Sequence, residues 1–514
     1  MAYSLPPPER VMRGFAAAVN FKGSFHYRCT FIALSSTSLS PTDCIKTLYT
    51  ELRSMHYRCM HARLDRVLSE LGRRGVLTPR EMQEVIGASA ATLSRLLSDP
   101  DSRQIIRMGK ARATRYGLRR DVRGMGSEWP LYRIEGDGSA ALQGHLYALT
   151  RGQWLLQQDD PWDSLLGDAF REGLYPGLPW FLQDLRPRGF LGRLLARRYA
   201  GELGAPSDPR DWSDDDVAVS LWTLGGDLPG SFVLGRRALA AAQSAMRRDD
   251  DVIPAQARAT TYPARAATAM AGDVPGSSAA GEQPKFTARV RREDNTVSCV
   301  IVKFSGAGGR PEDRRWCDLL MAEHVANGVL AQAGIPCATT ALLQAEGRCF
   351  LESSRFDRIG QGGRRGFVSL EALDSAFFGA IGTSWDEAAV RCRDAGWLSG
   401  EDAERLALLW WFGTLIGNTD MHYGNAGLFL DSTRPLSLAP IYDMLPMLYC
   451  PDAEGRLPEA SVAPQPPPPE SRACWSRAAG LARKYWRCLS GTEHVSESFR
   501  ALSARNAKAV AALR

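Results

Sequence analysis

A chain of 514 residues, 44% hydrophobic and 23% charged, exceeds one ordinary core and has the balance of a globular protein, so about three domains are expected. No apolar run is long enough to cross a bilayer and the N-terminus lacks a signal-peptide pattern, which points to a cytoplasmic protein with no membrane partner. The formal charge of +6 is concentrated: residues 60–123 hold fourteen Lys/Arg against seven Asp/Glu, and that segment accounts for the excess. Eleven scattered cysteines without a C-x-x-C pair argue against a disulfide framework or a zinc site and for free thiols.

Residues 1–59 show weak periodicity and a near-repeat, Phe25-His26-Tyr27-Arg28-Cys29 beside Met55-His56-Tyr57-Arg58-Cys59, too short to define a repeat architecture. Met60 stands directly before the first regular helix pattern, which suggests it as the biological start. From Leu64, apolar residues at 64, 67, 68 and 71 repeat at helical spacing. Thr78-Pro79 opens a second helix, and Gly87-Ala88-Ser89 turns into a third over 90–98. Residues 105–118 then read as two short strands around a basic turn. Helix, turn, helix and wing in a basic segment predict a winged helix-turn-helix. Ser89, Thr92 and Arg95 are placed to meet base edges, and Arg107, Lys110, Arg112 and Arg115 to meet phosphates. A three-helix protein-interaction module is the alternative.

Residues 124–272 read as a separate α/β region. Strands are expected over 131–134 and 142–149 around Gly136-Asp137-Gly138. The stretch 177–193 mixes aromatic with basic residues, which fits amphipathic helix packing better than nucleic-acid binding. A helix with an acidic first turn is expected from Asp211. Residues 253–278, rich in Ala, Arg, Thr, Pro and Gly, show little periodicity and predict a flexible connection.

Beyond it, residues 276–286 are small and Gly/Ser-rich, a composition whose backbone N–H groups can cradle phosphates, although the stretch is neither Walker A nor G-x-G-x-x-G. Lys303 stands alone in the apolar strand 298–304, where burial calls for a phosphate or carboxylate partner; Glu323, in a helix-like stretch, is the one expected. Residues 350–358 form a strand leading into a short connection, where a two-lobed kinase places its hinge. The apolar run 403–416 supports Gly417-Asn418-Thr419-Asp420-Met421-His422-Tyr423-Gly424-Asn425, and Asp443 follows 18 positions after Asn425. Asp-x-x-x-x-Asn with a later Asp is the kinase arrangement, one carboxylate for the substrate hydroxyl and two oxygen ligands for Mg²⁺. A polar loop is the bland alternative.

Gly-x-Gln-Pro-Lys at 281–285, Val-Lys at 302–303, Arg-Phe-Asp-Arg at 355–358, Gly-Asn-Thr-Asp-x-His-x-x-Asn at 417–425 and Tyr-Asp at 442–443 follow in order. In this the chain resembles the HipA family of serine/threonine kinases over about 124–450, and with the winged segment ahead it is most similar to the YjjJ subgroup of toxins. The resemblance implies an α+β, two-lobed protein-kinase-like fold of HipA type preceded by a winged helix-turn-helix, with an unassigned extension over 1–59, the winged domain over 60–123, an α/β region and linker over 124–272 and the catalytic region over 273–514. It implies ATP and Mg²⁺ as cofactors, Asp420 as the catalytic carboxylate, and Asn425 and Asp443 as metal ligands. Ala280, Gly281, Glu282, Gln283 and Lys285 would form the phosphate loop, Lys303 would meet the ATP phosphates, His422 would sit beside the nucleotide, and Ser354, Arg355 and Phe356 would make the hinge. Ser278, with Ser277 beside it, stands at the family's autophosphorylated serine, where added negative charge would oppose ATP. Ser354 replaces the family's acidic hinge residue. Relatives phosphorylate aminoacyl-tRNA synthetases, which makes a protein substrate of that kind the expectation. Family members take DNA binding from a separate antitoxin; here it is expected in cis, which leaves an antitoxin partner open. The reading is therefore an ATP- and Mg²⁺-dependent serine/threonine kinase of toxin type. A DNA-binding transcriptional regulator with a ligand-sensing kinase lobe, or a small-molecule kinase, are the rivals.

Overall fold

The computed structural model describes residues 41–170, 172–248, 250–271, 283–380, 382–463 and 466–512. Ser277, Ser278, Ala280, Gly281 and Glu282 lie outside them. The chain divides into Met1–Ala62 and a second compact unit, Arg63–Arg514.

Helix α1 spans Pro41–Arg74, so the helical pattern expected from Leu64 begins well upstream. Leu64, Val67 and Leu71 are buried, whereas Tyr49, Leu52, Met55 and Tyr57 are exposed. The earlier turns carry no apolar stripe, so periodicity cannot detect them. Helix α2 (Pro79–Ile86) starts on a capping box, with the Thr78 side chain accepting from the Glu81 amide and the Glu81 carboxylate accepting from the Thr78 amide at 2.8 Å. Gly87 in the left-handed region ends it, and Ser89 caps α3 (Ala90–Leu97). Strands β1 (Ile105–Met108) and β2 (Arg115–Leu118) pair antiparallel, and Leu77 bridges to Tyr116. Gly109 is required in this hairpin, because a Cβ there would sit 2.4 Å from the Ala113 carbonyl oxygen.

The middle region is a five-stranded antiparallel sheet in the order β6-β5-β4-β3-β7, from β3 (Glu128–Ile134), β4 (Ala140–Ala148), β5 (Trp154–Gln157), β6 (Leu174–Tyr175) and β7 (Phe232–Leu234). Trp129, Leu131, Leu146, Trp154 and Leu156 are buried from β3 to β5, with Trp180, Phe181 and Leu182 covering them. Helices α4 (Gly189–Leu203), α5 (Asp214–Leu224) and α6 (Arg236–Arg247) follow. The acidic turn expected to open a helix at Asp211 does so three residues later, capped by Ser213.

The stretch expected to be a flexible connection is ordered over most of its length. Val252–Ile253 forms β8, and Arg258–Ala271 forms a helix, α7, with Pro263 inside it. Its alanines favour helix, and Tyr262, Ala266 and Ala269 are buried against the next sheet, a stripe at helical spacing that is faint in sequence because two of its three residues are alanine. That sheet runs β11-β12-β10-β9-β8, from β9 (Lys285–Arg291), β10 (Val297–Phe304), β11 (Thr340–Ala345) and β12 (Arg348–Ser354). Alternation splits its faces: Phe350 packs with Tyr262 on α7, while Cys349 and Leu351 pack with Leu320 on α8 (Pro311–Gln332).

The larger lobe contains a hairpin of β13 (Arg358–Ile359) and β14 (Gly363–Arg364), and a three-stranded sheet of β15 (Phe367–Ser369), β16 (Gly427–Phe429) and β17 (Ser437–Leu438). Helices α9 (Leu370–Phe377), α10 (Trp385–Asp394), α11 (Gly400–Ile416), α12 (Arg472–Ser490) and α13 (Glu497–Ala512) complete it. The C-terminal tail forms the last two of these helices, and Trp475, Tyr485, Trp486 and Phe499 are core residues. The fold is α+β and kinase-like, a small sheet-based lobe against a larger helical one.

Candidate active site

Helix α11 buries Leu406, Leu408, Leu409, Phe412 and Leu415 and stops at Gly417, whose φ of 75° suits a residue without Cβ. The loop after it is held by its own amides. Asn418 Oδ1 accepts from the Asp420 N–H at 3.1 Å, while its Nδ2 donates to the Asp443 carbonyl at 3.3 Å. Asn425 Nδ2 donates to the Asp420 carbonyl at 2.7 Å, which leaves its oxygen as the ligand-type atom. His422 Nδ1 accepts from the Gly424 amide at 3.0 Å, and the Tyr442 hydroxyl donates to the Gly424 carbonyl at 2.8 Å. Asp443 takes a φ of 55°, a conformation Asp tolerates better than most residues.

Register explains Lys303. It pairs with Lys285 on β9 and Leu351 on β12, and Leu351 is the residue that meets α8. Lys303 therefore points at that helix, and its Nζ lies 2.7 Å from both carboxylate oxygens of Glu323. The same ammonium hydrogen-bonds to Asp443 Oδ1. Lys303 is 6% exposed and Glu323 1%. Burial opposes the charge on Lys303, but Asp443 and Glu323 outweigh it and hold the ammonium above its ordinary pKa. Burial pushes Glu323 up despite Lys303, whereas at Asp443 the cost of burial is overcome by Lys303 and Lys285 and the carboxyl is held low.

These groups line one cleft of about 730 Å³, with Gln283, Lys285, Lys303 and Glu323 contributed by the small lobe and Asp420, His422, Asn425 and Asp443 by the large one. Gln283 is fixed by donation to the Phe304 carbonyl at 2.6 Å. Among the described residues no group of three or more His, Cys, Asp or Glu could hold a metal alone. Mg²⁺ suits the Asn425 and Asp443 pair nonetheless, since it takes one or two protein oxygens beside substrate phosphates.

The residues expected to make the hinge are tied into the sheet and onto the wall of the cleft. The Ser354 amide donates to the Thr339 carbonyl at 2.8 Å and the Arg355 amide to the Cys299 carbonyl at 2.9 Å, so both N–H groups are engaged in the sheet. Arg355 turns its side chain to Asp357 and Asp227, and Phe356 packs on Phe367 and Tyr442 with centroids 5.5 and 5.8 Å apart. Phe367 lines the cleft; Ser354, Arg355 and Phe356 do not. In the N-terminal segment Ser89, Arg95, Arg107, Lys110, Arg112 and Arg115 are exposed and Thr92 half-buried. Ser89 Oγ is engaged as the α3 cap.

Residues 125–243 match the family model for the YjjJ-like toxin middle domain, and residues 277–503 that for the HipA-like C-terminal domain. Toxin YjjJ of Escherichia coli strain K12 is 36% identical over 436 residues, 84% of this chain and 94% of the relative. The chain belongs to the YjjJ-like toxin family. Similar solved structures include the Shewanella oneidensis MR-1 toxin–antitoxin complex of HipA, HipB and operator DNA, at 15% identity and a TM-score of 0.46 over 74% of this chain and 95% of that one. The Helicobacter pylori proinflammatory kinase CtkA gives 14% and 0.31 over 44% and 87%.

The two matched regions of this YjjJ-like chain share the cleft. Its wall includes residues 184–192 of the middle domain. Half-buried Asp184 accepts from the Ser369 amide at 2.6 Å and from its hydroxyl at 2.5 Å, and Arg188 pairs with Glu371 at 2.8 Å. Sequence reading assigned this stretch to helix packing, which holds for its apolar residues, Leu178, Trp180, Phe181, Leu182, Leu185 and Phe190 being buried. The signal it missed is the run of charges immediately after the core residues.

Proposed function

We propose that this chain is an ATP- and Mg²⁺-dependent protein serine/threonine kinase of toxin type that acts in the cytoplasm and carries its own DNA-binding segment. The observation supporting it most directly is the single cleft in which Lys303, held by buried Glu323, reaches Asp443 while Asp420 and Asn425 stand opposite. Lys285 and Lys303 supply the positive charge for phosphate oxygens, and Asp420, exposed in the cleft, accepts the proton of the attacking hydroxyl. Asn425 and Asp443 would hold Mg²⁺, which neutralises charge on the transferred group when bound. Fixing these groups before substrate arrives is what accelerates a reaction that asks mainly for positioning and charge stabilisation.

Ser278 is the proposed autophosphorylation site and off-switch, with Ala280 to Lys285 as the phosphate loop. Ser354 to Phe356 are retained as the connection bordering the nucleotide, acting through Phe356 on the Phe367 wall. Ser89, Thr92 and Arg95 serve base edges and Arg107, Lys110, Arg112 and Arg115 DNA phosphates, and a HipB-like antitoxin is a second partner in view of the Shewanella complex. The target is a protein, an aminoacyl-tRNA synthetase by family resemblance. Incubation with labelled ATP and Mg²⁺ followed by phosphosite mapping tests the serine/threonine assignment. Label on Ser278 or Ser277 is expected; label confined to a small-molecule acceptor would refute it.

A further inference from the structure

Behind the connection Ser354–Phe356 lies a second, smaller pocket of about 140 Å³, walled by α6, β9, β10 and the β13–β14 hairpin. Five guanidinium groups line it, those of Arg248, Arg289, Arg355, Arg358 and Arg364. Their charges are unequally answered. Arg355 and Arg358 share Asp227 and Asp357, and the pocket's other carboxylate, Asp251, is taken by Arg265 at 2.7 Å. Arg289 reaches only carbonyls at the C-terminal end of α6, those of Ala245, Met246 and Arg248.

Arg364 is the odd group. It is 5% exposed, its Nη2 donates to the Gly226 carbonyl, and its Nε and Nη1 have no hydrogen-bond partner. A buried guanidinium with unmade hydrogen bonds and no carboxylate at ion-pair distance is costly, and it persists where something compensates it. Burial, with Arg358 and Arg355 beside it, outweighs the nearby Asp227 and Asp357 and lowers its pKa to about 9. Opposite charge and bidentate geometry point to an oxyanion, and the volume is below the roughly 300 Å³ at which pockets for drug-sized ligands begin. Nothing in the phosphoryl-transfer chemistry proposed above uses this pocket.

We propose that this pocket binds a small phosphate-bearing anion, inorganic phosphate or a phosphate monoester, held by Arg289 and Arg364 with Arg248 at the rim. Asp227 and Thr287 line both this pocket and the cleft, and Arg355 sits between the sheet and Phe356, so the ligand joins the middle domain to the nucleotide lobe.

The test uses the full chain with its cleft saturated by a non-hydrolysable ATP analogue, titrated calorimetrically with inorganic phosphate and in parallel with glycerol phosphate at constant ionic strength. One saturable site is expected, weakened at least tenfold in Arg364→Gln and Arg289→Gln and unchanged in Arg472→Ala, an exposed arginine of α12. Tighter binding of the ester identifies a phosphate monoester, equal or weaker binding the free ion. If Arg364→Gln does not fold, Arg248→Ala, exposed at the rim, carries the same expectation. No saturable binding, or binding equally strong in the pocket variants, overturns the proposal.

Discussion

Lys303 and Glu323 illustrate why a buried ion pair is weak support for stability and strong support for function. Two charges are removed from water inside the lobe, and only their mutual hydrogen bonds with Asp443 compensate the loss. Glu323→Ala should cost about 3 kcal/mol in denaturant unfolding, the low end for breaking a buried pair, because Asp443 still faces the ammonium. Phosphoryl transfer should fall further than stability alone explains, by roughly 10²-fold, since Lys303 loses its fixed position. Unchanged transfer would show that Glu323 serves packing only. Asp357 gives a pH-dependent counterpart. Burial raises its carboxyl pKa, but Arg355 and Arg358 overcome that and hold it at about 2, against 3.8 ordinarily. A depressed native value means that the stabilisation is present above about pH 4 and is lost as pH falls through 2; the difference corresponds to about 2 kcal/mol. Acid unfolding of the wild type should carry this slope, and Asp357→Asn should flatten it.

At the scale of elements, the helix pair α2–α3 and the β1–β2 hairpin present exposed arginines on short, well-capped pieces. Elsewhere in the same segment the arginines are occupied: Arg120 makes bonds of 2.6 and 2.7 Å to Asp215, and Arg119 pairs with Glu128 at 3.3 Å. Arg95 and Arg112 are exposed, as DNA ligands must be. Arg95→Ala with Arg112→Ala should weaken DNA binding and lower the salt-dependence slope by about one, the share of the phosphate contact at Arg112. An unchanged affinity and slope would favour a protein-interaction module. Elements also show where sequence reading failed. Helices are legible when they display a stripe of large apolar residues or a cap, as at Thr78-Pro79; the stripe of α7, Tyr262, Ala266 and Ala269, is mostly alanine and has Pro263 within it. The surroundings of the expected hinge were not legible for a different reason: Arg355 pairs with Asp357 and with Asp227, which lies 128 positions before it.

For the whole molecule, the large and small lobes were legible because chemistry forces rare residue types into recognisable places: a lone Lys in an apolar strand, an Asp and Asn five positions apart after an apolar helix. The contribution of residues 184–192 was not, since it depends on how the middle domain meets the cleft, and no local pattern encodes that. The central proposal concerns Asp420, exposed in the cleft and proposed to meet the substrate hydroxyl. Its most direct test sets ATP affinity beside label transfer from ATP in the wild type and in Asp420→Ala. The account predicts that the variant binds ATP within about twofold of wild type and loses transfer by at least roughly 10³-fold. Transfer retained in the variant would contradict it.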